Sequence, residues 1–307
     1  MGYGAVETGI VFEEMGRALY CGPYFSVVAL ATNLLLCSGD SAAMQRYLPG
    51  IASGDSIATL AVAEPSARWD LESIKVSATQ SGERWLLSGE KMFVTDGLIA
   101  DLLLVVARSP RGVGVFAVEG SAHGLTRSGL GTVDQTRKQA RLVFSDTPAQ
   151  LVGDDGAGRD IVGRALDFAA VALAAEQVGG ASKALEMAVE YANTRQQFGR
   201  PIGSFQAIKH KCADLLLEVE SARSAAYFGM WAASNDTDEL PVVASLAKAF
   251  CSEAYCRAAT DCIQIHGGIG FTWEHPAHLY FRRAIGTRAL LGDPDYHREL
   301  MAQRLPV

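Results

Sequence analysis

The hydrophobic period of this chain changes twice along its length, and those two changes limit the fold more than any single residue does. Up to about Asp55 apolar residues recur at helical spacing. Ile10, Val11, Met15 and Leu19 mark a first helix, with Glu13 and Glu14 early and Arg17 late, as the macrodipole favours. Further helices are expected over about Ser26–Cys37 and Ala42–Ile51. Met1–Gly4 is loop-like and leads straight into a packed helix, which points to an element missing upstream. From Ser56 the period is two: Ile57, Thr59 and Ala61 alternate. Runs follow at Ile74–Thr79, Arg84–Leu87, Lys91–Thr95, Leu102–Ala107, Val113–Val118, Leu125–Arg127 and Arg141–Phe144. Short strands separated by turns such as Ser-Gly-Glu-Arg and Ser-Pro-Arg-Gly predict an antiparallel sandwich or barrel.

After Gly153-Asp154-Asp155-Gly156 the helical period returns and stays. Long helices are expected over Asp160–Arg195, Phe205–Asn235 and Pro241–Ile265, then a shorter one over Pro276–Thr287 and another after Pro294. The first spans roughly 50 Å at 1.5 Å per residue. It contains Gly179 and Gly180, which weaken a helix and are best explained by another backbone passing close. The expected class is α+β in three parts: a helical segment 1–55, a β-domain 56–153 and a four-helix bundle 154–307.

Composition narrows the function. With 307 residues, 49% hydrophobic and 20% charged, the chain can bury a large core. A net charge of −7 argues against nucleic acid as the partner. No apolar stretch is long enough to span a membrane, and no signal peptide is visible. Six cysteines without a C-x-x-C pair read as reduced core thiols of a cytoplasmic protein, and the histidines show no metal-ligand spacing with them.

The most informative segment is Tyr191–Gln206, YANTRQQFGRPIGSFQ. Gly199 invites positive φ and Pro201 lacks an N–H, so the helix must stop there. Ser204 has the chemistry of an N-cap for the next helix. Arg195, one turn before the break, either satisfies carbonyls at the helix end together with Gln197 or reaches outward to a phosphate or carboxylate.

This segment, the order of helical, β and helical parts, and three further motifs together resemble the acyl-CoA dehydrogenase family over essentially the whole chain. The motifs are Gln264-Ile265-His266-Gly267-Gly268-Ile269-Gly270-Phe271 before Glu274-His275-Pro276, Lys91-Met92-Phe93-Val94-Thr95-Asp96-Gly97, and Ala61-Val62-Ala63-Glu64-Pro65. The resemblance implies an oxidoreductase of fatty-acid or other lipid metabolism. Such an enzyme binds FAD between β-domain and bundle, oxidises the Cα–Cβ bond of an acyl-CoA and passes electrons to an electron-transfer flavoprotein. It implies flavin contact for Phe93 and Thr95, whose alternation places them on one side of a strand. It implies that Arg195, Gln264, Gly267 and Gly268 hold the dinucleotide of a neighbouring subunit. The glycines would let backbone N–H groups approach a pyrophosphate. Phe198 is either a plug beneath its turn or a wall of the cofactor site.

Several positions depart from the family pattern. The usual catalytic Glu falls at Leu291, within Ala289-Leu290-Leu291-Gly292-Asp293-Pro294, and the alternative position falls near Phe168 and Ala169. Asp293 is the remaining candidate base, set against an ordinary turn aspartate before Pro294. Asp167 neighbours the second position, and Glu176 suits a core salt bridge better than catalysis. Ala63 and Trp69 replace residues that usually touch flavin and the pantetheine arm. Three functions follow from the resemblance. One is an FAD-dependent acyl-CoA dehydrogenase with an unusual base. Another is a base-less subunit that pairs with a related chain, as in actinobacterial relatives acting on steroid side-chain thioesters. The third is a helical scaffold without cofactor. The apolar surplus of the helices Asp160–Arg195 and Pro241–Ile265 adds the expectation of an oligomer, homomeric or mixed.

Overall fold

A computed structural model describes residues 4–82 and 84–305. The loop assignment at Met1–Tyr3 and the Glu83 turn position lie outside the described residues. The chain divides into two compact units: residues 21–132 with 137–169, and residues 1–20 with 133–136 and 170–307. The three-part reading of the sequence groups residues by element type, whereas this division groups them by packing.

The first unit is built on seven strands: β1 (Ala58–Ala61), β2 (Ser77–Ser81), β3 (Arg84–Thr95), β4 (Leu102–Ser109), β5 (Gly112–Glu119), β6 (Leu125–Gly129) and β7 (Gln139–Val152). Their order is β1-β4-β2-β3-β7-β5, with β6 on β7 and a β4–β5 pairing that closes the ring, so the barrel alternative is realised. The expected antiparallel sheet is corrected in one respect: β1 and β2 both run parallel to β4. A parallel pair needs a long crossover, and the forty residues Val62–Asp101 between β1 and β4 supply it. The runs Arg84–Leu87 and Lys91–Thr95 form one strand, broken by register shifts at Leu87/Gly89 and Lys91/Val94. β4 is buried at Leu102–Val106 without alternation, which is why its sequence reads as a continuous apolar run. Trp85 and Phe116, with ring centroids 5.2 Å apart, anchor the core under it.

Ahead of the strands, the single helix expected over Ser26–Cys37 is a π-helix, Phe25–Thr32, continued by α2 (Asn33–Ser38) and stopped at Gly39 with φ +65°. Next comes α3 (Ser41–Ser53), whose N-terminus is capped by Asp40 accepting from the N–H groups of Ala42 and Ala43 at 3.0 Å.

The second unit is helical: α1 (Ala5–Arg17), the C-terminal part of α4 (Gly158–Thr194), α5 (Gln206–Asn235), α6 (Leu240–His266), α7 (Ala277–Ala289) and α8 (Pro294–Arg304). Two short strands, β8 (Gln196–Gln197) and β9 (Arg200–Pro201), connect α4 to α5. The apolar face expected for α1 is corrected: Ile10 and Val11 are exposed, and the buried face is Gly9, Phe12, Glu13 and Gly16. The reason is a close helix crossing. A Cβ added at Gly16 would sit 1.9 Å from the Glu176 carbonyl oxygen, and one at Gly179 would sit 1.8 Å from that of Glu13. Gly180 faces the Tyr255 ring in the same way, at 2.4 Å. Gly179 therefore meets the close backbone that its position in a long helix suggested, whereas Gly180 makes room for a ring.

Residues 170–181 of α4 are all buried, so its apolar surplus is taken up within the chain. Exposed apolar residues remain on α5 and α6, among them Leu217 at 70%, Phe228, Trp231, Leu246 and Phe250. Glu176 is a core ion-pair residue: the Arg283 guanidinium, 2% exposed, donates to it at 2.8 Å and to Asp134 at 2.8 Å. All six cysteines are free; Cys251 and Cys262 are buried, while Cys21 is exposed and does not fit the core-thiol expectation. Among the described residues no helix is long and apolar enough to cross a membrane.

Candidate functional site

In the strand unit, the candidate residues sit on the last turn of β3. Lys91 is fully buried and donates from Nζ to the Val62 carbonyl at 2.8 Å and to Glu64 Oε1 at 2.9 Å. Burial pulls the Lys91 ammonium down to about 8, and the Glu64 carboxylate opposes that shift. Glu64 also accepts from the N–H groups of Lys75 and Val76. This buried pair ties the Ala63-Glu64-Pro65 turn to β3 directly before Phe93.

Residues 92 and 93 together oppose Arg141, a β-bulge with Phe93 at φ +57°. The bulge interrupts the alternation on which a shared face for Phe93 and Thr95 was expected. Phe93 is half-buried and Thr95 is 2% exposed. The Thr95 carbonyl accepts from Thr59 Oγ1 at 2.7 Å. Its own hydroxyl is buried and has no hydrogen-bond partner among the described residues. Buried hydroxyls are normally satisfied, so this atom is suited to a polar ligand group such as a flavin ring offers.

In the helical unit, β8 and β9 form a two-residue hairpin with Phe198 at φ +54° and Gly199 at φ +75°. Positive φ at both central positions is the primed turn that matches strand twist. Phe198 stands 91% exposed, with its ring edge-on to Phe205 at 6.1 Å, so it is not a plug beneath the turn. Ser204 is not the N-cap of α5: its hydroxyl donates to the Pro201 carbonyl at 2.7 Å, and Phe205 holds the cap position. Arg195 engages only its backbone, donating to the Tyr191 carbonyl and accepting from the Ile202 N–H, both at 2.8 Å. Its exposed guanidinium makes no hydrogen bond or ion pair among the described residues, so the helix-end role is not taken up.

The Tyr191 ring stacks on His266 at 4.4 Å, which brings the end of α4 to the end of α6. His266 is pinned by Nδ1 against the Cys262 carbonyl at 2.7 Å and packs on His275. Arg195 and the Gly267–Gly268 turn thus share one end of the helical unit. Gln264, Gly267 and Gly268 are all exposed there. No atom lies within 4 Å of where a Cβ would stand at either glycine, and Gly267 has φ +64°. The Gly267 N–H is engaged with the Ile263 carbonyl, which corrects its expected part as a phosphate donor. What the turn offers is open room at the end of the unit that also carries Arg195. Taken by itself, the strand unit offers an orphan hydroxyl suited to a flavin ring; taken by itself, the helical unit offers at one end an exposed guanidinium and two bare glycines, which suit a diphosphate.

The turn between α7 and α8 carries the position of the expected base. Asp293 is exposed and is the N-cap of α8, accepting from the Tyr296 N–H at 2.8 Å, as a turn aspartate before proline does. Leu291 is buried with φ +63°, and Gly292 follows at φ +104°. Two buried side chains not singled out in the sequence hold this turn. Lys248 Nζ donates to the carbonyls of Gly292 at 2.9 Å and Arg288 at 3.2 Å, and to Ser252 Oγ at 3.0 Å. His297 Nε2 lies 3.0 Å from the Leu291 carbonyl. A lysine amid the alanines and valines of α6 was the available signal, since an unpaired cation on an apolar helix face needs acceptors nearby.

Residues 59–147 match the domain family described as acyl-CoA dehydrogenase, middle domain, and residues 156–305 match acyl-CoA dehydrogenase, C-terminal domain. Acyl-CoA dehydrogenase IpdE2 of Mycobacterium tuberculosis is 35% identical over 291 residues, covering 94% of this chain and 74% of the relative. The structure of butyryl-CoA dehydrogenase from Megasphaera elsdenii aligns with a TM-score of 0.90 at 28% identity, over 95% of this chain and 79% of that one. The Tcur3481-Tcur3483 steroid ACAD aligns with a TM-score of 0.88 at 29% identity, over 98% and 81%. Sequence motifs, strand-and-bundle architecture and these matches agree: the chain belongs to the acyl-CoA dehydrogenase family.

Proposed function

We propose that this chain serves FAD-dependent α,β-dehydrogenation of an acyl-CoA thioester as a subunit that holds flavin without supplying the base. One contrast within the helical unit carries the reading. Arg195 and the Gly267–Gly268 turn present an uncommitted cation and open glycines at one end, while the Leu290–Asp293 turn offers a leucine and a capping aspartate.

In this reading Arg195 and Gln264 grip the diphosphate of a neighbouring subunit's dinucleotide, and Gly267 and Gly268 leave it room. Phe198 supplies an apolar wall there, while Phe93 and the Thr95 hydroxyl of the strand unit suit a flavin ring. FAD, when bound, supplies the two-electron acceptor for the β hydride. The α proton needs a base from elsewhere, because Leu291 has no site for it. A related acyl-CoA dehydrogenase subunit bearing a carboxylate is the expected partner, and an electron-transfer flavoprotein the expected acceptor of electrons. The exposed apolar residues of α5 and α6 give such an assembly a surface. The steroid ACAD among the structural neighbours favours a steroid side-chain thioester as substrate class over a simple fatty acyl group. Free thiols at all six cysteines suit a cytoplasmic setting.

The test is a flavin spectrum of the purified chain, repeated after co-expression with a neighbouring homologue. Flavin reduced by an acyl-CoA only in the mixed complex is the expected result. Turnover by the chain alone, abolished by Asp293→Asn, would establish a self-contained enzyme using Asp293 instead. Colourless protein in both preparations would leave a scaffold. Arg195→Ala should weaken FAD binding about 10–100-fold, the worth of charge-assisted hydrogen bonds, at unchanged melting temperature.

A further inference from the structure

Residues 267–276, GGIGFTWEHP, join α6 to α7, and three glycines and a closing proline keep them from continuing either helix. Their own hydrogen bonds are local: Thr272 donates from its N–H and its hydroxyl to the Ile269 carbonyl, and the His275 N–H donates to that of Thr272. Eight of the ten residues are exposed, among them Phe271 at 73% and Trp273 at 69%. Inward contact comes from three places. Gly270 is buried where a Cβ would meet His266 at 3.1 Å, the Trp273 ring stands edge-on to His278 at 4.5 Å, and His275 is half-buried. The helix that follows has no ordinary cap. Pro276 at its N-cap offers no side-chain acceptor, and the Ala277 N–H donates instead to His275 Nδ1 at 3.2 Å.

His275 therefore joins the segment to its surroundings in two ways. Its ring lies 4.2 Å from that of His266, which stacks in turn on Tyr191 at 4.4 Å. The hydrogen bonds fix both tautomers: His266 Nδ1 carries a hydrogen for the Cys262 carbonyl, and His275 Nδ1 is bare to accept from Ala277. A proton on His275 would remove that acceptor and set a positive charge against the positive end of α7. It would also face His266 on α6 and His278 on α7, with Arg282 of α7 close by over the Trp273 ring. Glu190 on α4, beside Tyr191, favours the proton, but from an exposed position, and Glu274 next to His275 is exposed too. Burial first, and His266 after it, hold the His275 imidazole below its ordinary 6.5.

We propose that His275 is a pH-sensitive latch: bare at Nδ1 it closes the start of α7 and holds residues 267–276 in place, and protonated it lets them go. The closed form refuses a proton that the open form takes. Closure is therefore complete above the ordinary imidazole range and is lost as pH falls through it. Above that range the Gly267–Gly268 turn and the Phe271 and Trp273 rings present one fixed surface, and below it they do not. The latch acts whether or not a flavin is held at this end of the unit.

Amide hydrogen exchange of the full chain tests this, read by mass spectrometry at about pH 7.5 and about pH 5.5 and corrected for intrinsic rates. In wild type the protection of residues 267–280 should be about three- to tenfold lower at the acid pH, the worth of one hydrogen bond, while α5 keeps its own. His275→Asn cannot titrate, yet its side-chain oxygen suits an N–H two residues on, so protection should be nearly equal at both pH values. His275→Gln takes its place should His275→Asn not fold. His275→Phe keeps a ring on His266 without an acceptor, and protection should be low at both. Equal wild-type protection at the two pH values, or a loss shared by α5, would overturn the latch. So would an acid loss that survives His275→Asn, since that variant retains His278 and His297, or full protection of His275→Phe at the higher pH.

Discussion

His297 shows at the scale of one residue how burial writes a pH dependence. Its ring is 4% exposed, and burial, helped by the Lys248 charge, pulls its pKa down to about 3. Between its ordinary 6.5 and 3 the unfolded chain takes a proton that the folded chain refuses. Stability from this group is therefore lost as pH falls through that window. Lys248 acts in the same direction higher up. Burial brings it from 10.5 to about 7, so its contribution climbs as pH rises between those values. His297→Gln keeps an N–H for the Leu291 carbonyl and removes the titration. Its melting temperature should fall less than that of wild type between pH 6.5 and 4, and equal slopes would contradict the account. Neither residue stood out in the sequence, because a single basic side chain inside an apolar pattern does not reveal which carbonyls fold back to meet it. Arg195, Gln264 and the glycines did stand out, because their types and spacing are local. Phe93 was legible as a residue but not in its orientation, since a bulge is a property of two paired strands and not of one.

At the scale of elements, helices were readable and helix faces were not always. The period of α4, α5 and α6 placed their ends within a residue or two of the observed bounds. For α1 the apolar pattern pointed to Ile10 and Val11, yet the face that packs is the one with Gly9 and Gly16. A glycine contributes nothing to a hydrophobic pattern, but it allows two backbones to touch, and here contact outweighs side-chain area. This gives a sign test. In an exposed helix Gly→Ala gains about 1 kcal/mol from propensity. At Gly179 the added carbon would lie 1.8 Å from a carbonyl oxygen, and overpacking costs about 1–3 kcal/mol or more. Gly179→Ala should therefore destabilise the helical unit in urea melts, and a stabilised variant would show that α1 does not cross there. The strands carry the same lesson. β1 and β4 each read correctly as strands, but their parallel pairing depends on the long connection between them and not on their residues.

For the molecule as a whole, the Arg283 guanidinium is the main polar anchor of the helical unit. It joins α7 to Glu176 on α4, to Asp134 and Thr136 on the 133–136 segment, and to the Tyr20 carbonyl that follows α1. Arg283→Met would leave two buried carboxylates without this partner. The expected loss is about 3–5 kcal/mol, read from denaturant midpoints, and a change under 1 kcal/mol would show the network to be dispensable. The sequence by itself determined the class, the family and the residue types at each candidate position, because period, turn chemistry and short motifs are encoded within a few neighbouring residues. Only the tertiary structure decided that Asp293 caps a helix, that Thr95 keeps an unpartnered hydroxyl, and that Lys248 and His297 converge on Leu291. Those outcomes depend on which carbonyls, hydroxyls and rings distant segments bring within about 3 Å of one another, a distance over which hydrogen bonds form and which no linear spacing reports.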